Sequence, residues 1–284
     1  MNGFINFYKP SGESSAKAIS KIKKKFKGEK IGHMGTLDPM ASGVLPVALG
    51  KATRLFDFLL DKTKIYRAKF TFGYETDTLD AEGVVVKDGG RIPTLEEIKD
   101  ACNTLIGVID QIPPMYSAKN VGGKRSYQLA RQGKTVDLPP KQVEIISIAP
   151  EKTEKEDTFF FEIKCKGGTY IRSIARDIAK NLNTYATRTA LVRENSGGFA
   201  LSTALKIDEV IEMQDVSSVL IKPDSVLSFE SVILNDRQEG DLINGRPCEI
   251  DIKDGFYKVY YCDCFYGVGV VENNNLKLKA YLKD

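Results

Sequence analysis

The sequence predicts an α+β fold: a large mixed unit followed by a small β-rich one. Three observations lead there. Helix and strand patterns follow one another without the regular alternation that a doubly wound sheet needs. From about residue 227 the chain becomes short alternating strands broken by Gly and Asn turns, as in a small β domain or barrel. And 284 residues at 42% apolar composition bury a real core while exceeding one typical domain. The boundary is placed at 226/227, in the linker-like "LIKPDSVLSFESVIL", giving units 1–226 and 227–284.

The elements follow in order. After a "KPSG" turn, Ala16, Ile19, Ile22 and Phe26 recur at helical spacing, and Ser14 or Ser15 can cap the helix. "KIYRAKFTFG" alternates as a strand and runs into the turn "TDTLDAEG". "PTLEEIKDACNTLIG" carries Thr94 three residues before Glu97, a capping box opening a helix. "QIPPMYSAKNVGGKRSYQLARQG" is punctuated by Pro and Gly and reads as a long loop entering a short helix. "TFFFEIKCKGGTYIRSIARDIAKNL" reads as strand, Gly-Gly turn and amphipathic helix, with Thr169 as its cap.

Composition excludes several chemistries. His33 is the sole histidine, so a Ser/His/Asp triad or a His-rich metal centre cannot be assembled. Five scattered cysteines argue against a disulfide framework, and Cys262 and Cys264, expected on one face of a strand, make a poor zinc site alone. There is no G-x-x-x-x-G-K-[ST] loop for a nucleoside triphosphate. No apolar run of 18 residues appears and the first residues lack a signal-peptide pattern, so the expectation is a cytoplasmic protein with no membrane partner. Net charge is only +3, yet seven lysines face one glutamate between Lys17 and Lys30: a solvated helix face or a surface for phosphates.

One stretch concentrates the remaining chemistry, "GHMGTLDPMASGVLPVALGKATR" at residues 32–54. Asp38 before Pro39 can simply cap and start a turn of helix. Alternatively, an aspartate held extended by the following proline, among Gly32, Gly35 and Gly43, is a rigidly aimed carboxylate fit to act as nucleophile or base.

This block resembles the signature of the bacterial tRNA pseudouridine-55 synthases, the TruB family. "GFINFYKPSGESS", "KIYRAKFTFGYETDTLDAEG", "QIPPMYSAKNVGGKRSYQLARQG", "CKGGTYIRSIARDIA" and "LVRENSGGF" match in the family's order, so the likeness spans nearly all of residues 3–199. The resemblance implies a catalytic domain of pseudouridine-synthase type, built on a mixed, largely antiparallel sheet, with a PUA-like RNA-binding module after it. It implies an isomerase that detaches a T-loop uridine of tRNA from its ribose at N1 and rejoins it through C5, with base flipping and without cofactor or metal. Asp38 matches the catalytic aspartate, Arg172 the arginine that pairs with it, and Tyr66 the active-site tyrosine. Tyr170 and Leu191 match positions lining the uridine pocket, and His33 a residue that fills the space vacated by the flipped base. Lys23, Lys24, Lys119, Lys124, Arg125 and Arg131 then read as contacts to the RNA backbone. The form "DPMASGVLPVALGKATR" and the short C-terminal module favour the stand-alone bacterial type, a monomer without guide RNA, over the relative that works in a guide-RNA particle. A protein that grips the same RNA arm without chemistry is the competing reading.

Overall fold

The computed structural model describes residues 1–59, 62–116, 120–121, 124–125 and 138–283. Two sheets organise them. The larger has ten strands, with Leu205–Lys206, Gly3–Lys9, Ser42–Leu49, Ala186–Ser196, Lys64–Phe72, Thr158–Cys165, Lys141–Lys152 and Gly107–Gln111 side by side in that order. Ile31–His33 adds to Ser42–Leu49, and Phe199–Ala200 to Ala186–Ser196. Only two of its pairings are parallel, Gly3–Lys9 with Leu205–Lys206 and Ser42–Leu49 with Ala186–Ser196, so the sheet is mixed and largely antiparallel as expected.

The strand Ser42–Leu49 is buried at every position, because both of its faces are covered. Leu45, Val47 and Leu49 join Ile5 and Phe7 under the helices Ser15–Lys25 and Ile207–Glu212. Val44 and Ala48 face the other way and share a core with Phe4, Leu55, Val268, Ala280 and Leu282. Apolar burial thereby joins the second sheet to the first. That second sheet has five strands in the order Glu230–Ile233, Gly255–Tyr261, Cys264–Glu272, Asn275–Tyr281 and Cys248–Glu249. On the far half of the large sheet, the helices Leu95–Asn103 and Ile171–Asn181 cover Tyr66, Phe70, Phe161 and Ile163.

Several local expectations change. Asp38 and Pro39 start no helix: Ala41 N–H donates to the Asp38 carbonyl at 3.1 Å, closing a turn that leads straight into a strand. The helix Ile171–Asn181 is preceded by Tyr170 at the cap position without a side-chain cap, while the Thr169 hydroxyl turns back to the Lys166 carbonyl at 2.9 Å. Cys262 and Cys264 do not share a strand face, since Cys262 and Asp263 form the hairpin tip with positive φ. Of the two candidate caps Ser14 takes the role, accepting Lys17 N–H at 3.2 Å and leaving Ser15 for other work. The capping box at Thr94 and Glu97 forms as read. The short helix expected in "RSYQLARQG" lies outside the described residues.

Gly43 sits where the strands Ser42–Leu49 and Ala186–Ser196 first meet, with φ of 109°, and an added Cβ would lie 2.3 Å from the Arg193 carbonyl oxygen. Gly43→Ala is therefore expected to lose at least about 2 kcal/mol of stability in denaturant melts, from left-handed backbone strain together with a backbone clash. A loss below about 0.5 kcal/mol would contradict this close approach.

Candidate active site

The strand Ala186–Ser196 pairs with Ser42–Leu49 on one side and Lys64–Phe72 on the other, so the loop before residue 42 and the face of residue 66 meet at one place. Asp38 stands in that loop with its backbone held from below by the first turn of the chain. Ser15 Oγ accepts Leu37 N–H at 2.9 Å and donates to the Leu37 carbonyl at 3.0 Å. Gly12 N–H donates to the Pro39 carbonyl at 2.9 Å, and Ser11 Oγ to the Met40 carbonyl at 2.7 Å. Lys9, fully buried, donates its ammonium to the carbonyls of Pro10, Glu13 and Pro39. The residues on both sides of Asp38 are thus fixed, and the turn "KPSGESS" is the clamp.

The Asp38 carboxylate meets two arginines. Arg172 Nε lies 3.2 Å and Arg188 Nη1 2.9 Å from Oδ2, while Arg172 Nη2 lies 3.3 Å from Oδ1. Behind them Asp80 closes a ring, its Oδ2 being 3.1 Å from Arg188 Nη2 and 3.4 Å from Arg172 Nη1. The side chains of Arg172, Arg188 and Asp80 are 8%, 2% and 4% exposed, whereas that of Asp38 is 31% exposed. Two cations balance two anions, and solvent reaches chiefly the one carboxylate at the mouth. Oδ2 is occupied twice; Oδ1 accepts one long contact and keeps lone-pair capacity toward the opening.

The turn "TDTLDAEG" exists to carry Asp80. Leu79 takes a φ of 62°, Thr78 Oγ1 donates to Asp80 Oδ1 at 2.7 Å, Glu82 N–H reaches the same oxygen at 3.2 Å, and Arg188 N–H donates to the Leu79 carbonyl at 3.2 Å. Arg172 is held equally firmly: Nη1 donates to the Thr78 carbonyl and Nη2 to the Tyr116 carbonyl, each at 3.0 Å. The Tyr116 hydroxyl in turn donates to Asp77 at 3.1 Å. Gln111 uses its whole side-chain amide on Tyr170, accepting its N–H at 2.8 Å and donating to its carbonyl at 3.2 Å, which sets the start of the helix that bears Arg172.

Tyr66 and Leu191 share one apolar cluster with Leu37 and Ala41, which flank Asp38. Burial pushes the Tyr66 phenol up, so it keeps its proton at neutral pH. Tyr170 is half-buried. His33 ends the strand Ile31–His33, and burial, with the charge of Arg193 adding to it, holds its imidazole below its usual value, hence neutral at pH 7. A neutral half-buried ring suits stacking better than proton transfer. Lys23 and Lys24 are exposed on the first helix; Lys124 and Arg125 form a two-residue strand paired with Asn120–Val121; Lys119 and Arg131 lie outside the described residues. Among the described residues no group of three His, Cys, Asp or Glu side chains could hold a metal ion, and no helix is long and apolar enough to cross a membrane.

The profile described as "TruB family pseudouridylate synthase (N terminal domain)" matches residues 23–171, more than half of the chain. The chain belongs to the TruB family. It is therefore a pseudouridine synthase, an isomerase. This TruB-family chain is 38% identical over 292 aligned residues to the tRNA pseudouridine synthase B of Clostridium perfringens strain 13, covering 99% of each chain. It is 35% identical to that of Caldanaerobacter subterraneus subsp. tengcongensis, covering 98% of each. Among solved structures it resembles a chain of a Cbf5-Nop10-Gar1 complex with a TM-score of 0.71 and 25% identity, over 94% of this chain and 78% of that one. A chain of an H/ACA RNP bound to a substrate RNA containing 2'-deoxyuridine shares the fold with a TM-score of 0.73 and 21% identity, over 99% and 85%.

Of the residues expected from the sequence, Arg172 meets Asp38, Tyr66 and Leu191 pack beside its loop, and Tyr170 precedes the helix of Arg172; Asp80 and Arg188 in the ring and Lys9 in the clamp were not singled out from the sequence. Asp80 lay inside a block read as a turn, where its acidity was the available signal. Arg188 sits between recognised blocks in "TYATRTALV", with no motif to mark it.

Two outcomes follow from the geometry. Asp80→Ala leaves two buried guanidinium groups with one acid between them and should cost about 3 kcal/mol in urea unfolding; Asp80→Asn should cost less, since it keeps the turn's hydrogen bonds. Burial pushes the Lys9 ammonium down to about 8 from 10.5. Below pH 8 folded and unfolded chains are both protonated and the fold carries the full burial cost. Above it the folded state sheds the proton first, so wild-type stability should rise relative to Lys9→Met as pH climbs from 8 toward 10.5. A flat difference across that window would contradict the buried ammonium.

Proposed function

We propose that this chain converts a uridine in the T-loop of tRNA, position 55, to pseudouridine, acting alone in the cytoplasm as a monomer without guide RNA. The observation that carries the reading is the Asp38 carboxylate, clamped at its backbone, gripped by Arg172 and Arg188, and open on one oxygen. Likeness to relatives named tRNA pseudouridine synthase B over the whole chain supports the substrate.

The roles follow from the chemistry. Breaking the N1 glycosidic bond builds positive character on the ribose, and a fixed carboxylate stabilises or traps it, as carboxylates do in glycoside hydrolysis. Arg172 and Arg188 aim Asp38 and keep it from reorganising. Tyr66, Tyr170 and Leu191 line the space for the flipped uracil, Tyr66 offering its ring to the base. His33 fills the vacated stack and recovers part of the few kcal/mol that flipping costs. Lys23, Lys24, Lys119, Lys124, Arg125 and Arg131 take the phosphates of the T-arm, and residues 227–284 form a PUA-like RNA-binding domain beside the catalytic unit 1–226.

The test is purified protein in chelator with an unmodified tRNA transcript, mapping pseudouridine by position. Wild type should convert one T-loop uridine; Asp38→Asn should bind the transcript with near wild-type affinity and convert none. Tight binding without conversion by wild type would instead favour a protein that only grips this arm. Arg172→Ala should slow turnover by about 10²-fold or more with little change in affinity, and equal losses in both would overturn its aiming role. Charge reversal at Lys23, Lys24 and Lys25 should weaken binding and flatten its salt dependence, while unchanged affinity would make that run a solvated face.

A further inference from the structure

Arg172 is held by backbone carbonyls more closely than by its charge partners. Nη1 donates to the Thr78 carbonyl at 3.0 Å and lies 3.4 Å from Asp80 Oδ2. Nη2 donates to the Tyr116 carbonyl at 3.0 Å and reaches Asp38 Oδ1 at 3.3 Å. Each terminal nitrogen is therefore nearer to a neutral carbonyl than to a carboxylate. A guanidinium is a rigid planar fork, so one acceptor on each tine fixes its plane and its direction within that plane. The remaining contact, Nε to Asp38 Oδ2 at 3.2 Å, follows from where the fork is held.

Such a socket works only while its two carbonyls keep their spacing. They come from segments far apart in sequence, the turn after Lys64–Phe72 and the stretch after Gly107–Gln111. Asp77, next to Thr78, is pinned in its own turn: its N–H donates to the Val84 carbonyl at 3.0 Å, and its Oδ1 accepts Val84 N–H at 2.9 Å. Its other oxygen, Oδ2, accepts the Tyr116 hydroxyl at 3.1 Å. On the opposite side the chain leading to Tyr116 is stitched to the helix of Arg172, since Ser173 Oγ and Arg176 Nη2 both donate to the Ile112 carbonyl at 2.9 Å. Pro113 and Pro114, both buried, keep the backbone between them near one φ. Tyr116 thus touches both halves of the socket. Its carbonyl holds one tine of Arg172, and its hydroxyl holds the turn that supplies the carbonyl for the other.

We propose that Tyr116 is a positioning residue for the reaction: its hydroxyl, through Asp77, sets the spacing of the two-carbonyl socket that orients Arg172, and through Arg172 the Asp38 carboxylate. A phenol donating to an ionised carboxylate makes one of the stronger neutral-to-charged hydrogen bonds, and both groups are half-buried, where screening is reduced. Without it the Tyr116 carbonyl drifts relative to that of Thr78, and the fork rotates to follow one of them. A small misplacement of the reacting carboxylate costs turnover and leaves the grip on RNA intact.

The proposal rests on Arg172 aiming Asp38, and the experiment separates the two. It measures single-turnover pseudouridine formation on an unmodified tRNA transcript over a range of enzyme concentrations. Tyr116→Phe should slow the saturated rate by about fivefold or more, with half-saturation within about twofold of wild type. Asp77→Ala removes the same contact from its other end, and combined with Tyr116→Phe it should be no slower than the worse single variant. Lysine has one ammonium and cannot span two carbonyls, so in an Arg172→Lys background Tyr116→Phe should cost nothing further. A merely structural role for Tyr116 would cost the same in both backgrounds. A wild-type rate for Tyr116→Phe, losses that multiply with either Arg172→Lys or Asp77→Ala, or weaker binding at an unchanged saturated rate would overturn the Tyr116 assignment while leaving Arg172 in its role. A wild-type rate for Arg172→Lys would sink the aiming role itself, and the proposal with it.

Discussion

The ring of Asp38, Arg172, Asp80 and Arg188 is the interaction on which the rest of the site depends. A carboxylate facing a substrate cleft is ordinarily mobile, and its direction follows solvent and substrate. Here two guanidinium groups approach Asp38 from its protein side, and neither can move without giving up its own contact to Asp80. Charge balance makes the ring tolerable inside the fold, whereas removing any one member exposes the cost of the others. The ring therefore serves the aim of one oxygen more than the stability of the chain.

The fold is arranged to deliver those four residues from four distant segments. Asp38 comes from the loop ahead of Ser42–Leu49, Asp80 from the turn after Lys64–Phe72, Arg172 from a helix start, and Arg188 from the strand that lies between the first two. That central strand also carries Leu191 and Arg193 on the face shared with Tyr66. Covering Ser42–Leu49 on both faces, by helices on one side and by the second sheet on the other, leaves the loop no freedom to relax outward. The apolar joint around Phe4, Val44 and Val268 sits under the strand that follows the Asp38 loop, so packing and the placement of Asp38 are linked.

Much of this was legible in the sequence for definite reasons. Asp38 was visible because the surrounding blocks resemble one family in one order; by itself an aspartate before proline reads at least as well as the start of a helix. The capping box at Thr94 and the amphipathic helix carrying Arg172 were visible through local spacing. What escaped were partners defined only by tertiary proximity. Nothing local distinguishes Arg188 from a surface arginine on a strand, and Asp80 reads as a turn residue until the strand Ala186–Ser196 is laid beside it. Thr169 was misread as a helix cap because Gln111, from a strand far away in sequence, fixes the next residue instead. The tip formed by Cys262 and Asp263 broke an alternating pattern that spacing alone continued through.

The most direct test of the ring is a double-variant cycle on its two cations, with Arg172→Lys, Arg188→Lys and the pair compared by single-turnover pseudouridine formation at saturating tRNA. Because both arginines act through the direction of Asp38, the double variant should be scarcely slower than the worse single one. Losses that simply multiply would mean that the two arginines act independently, and that the ring is not what aims the carboxylate.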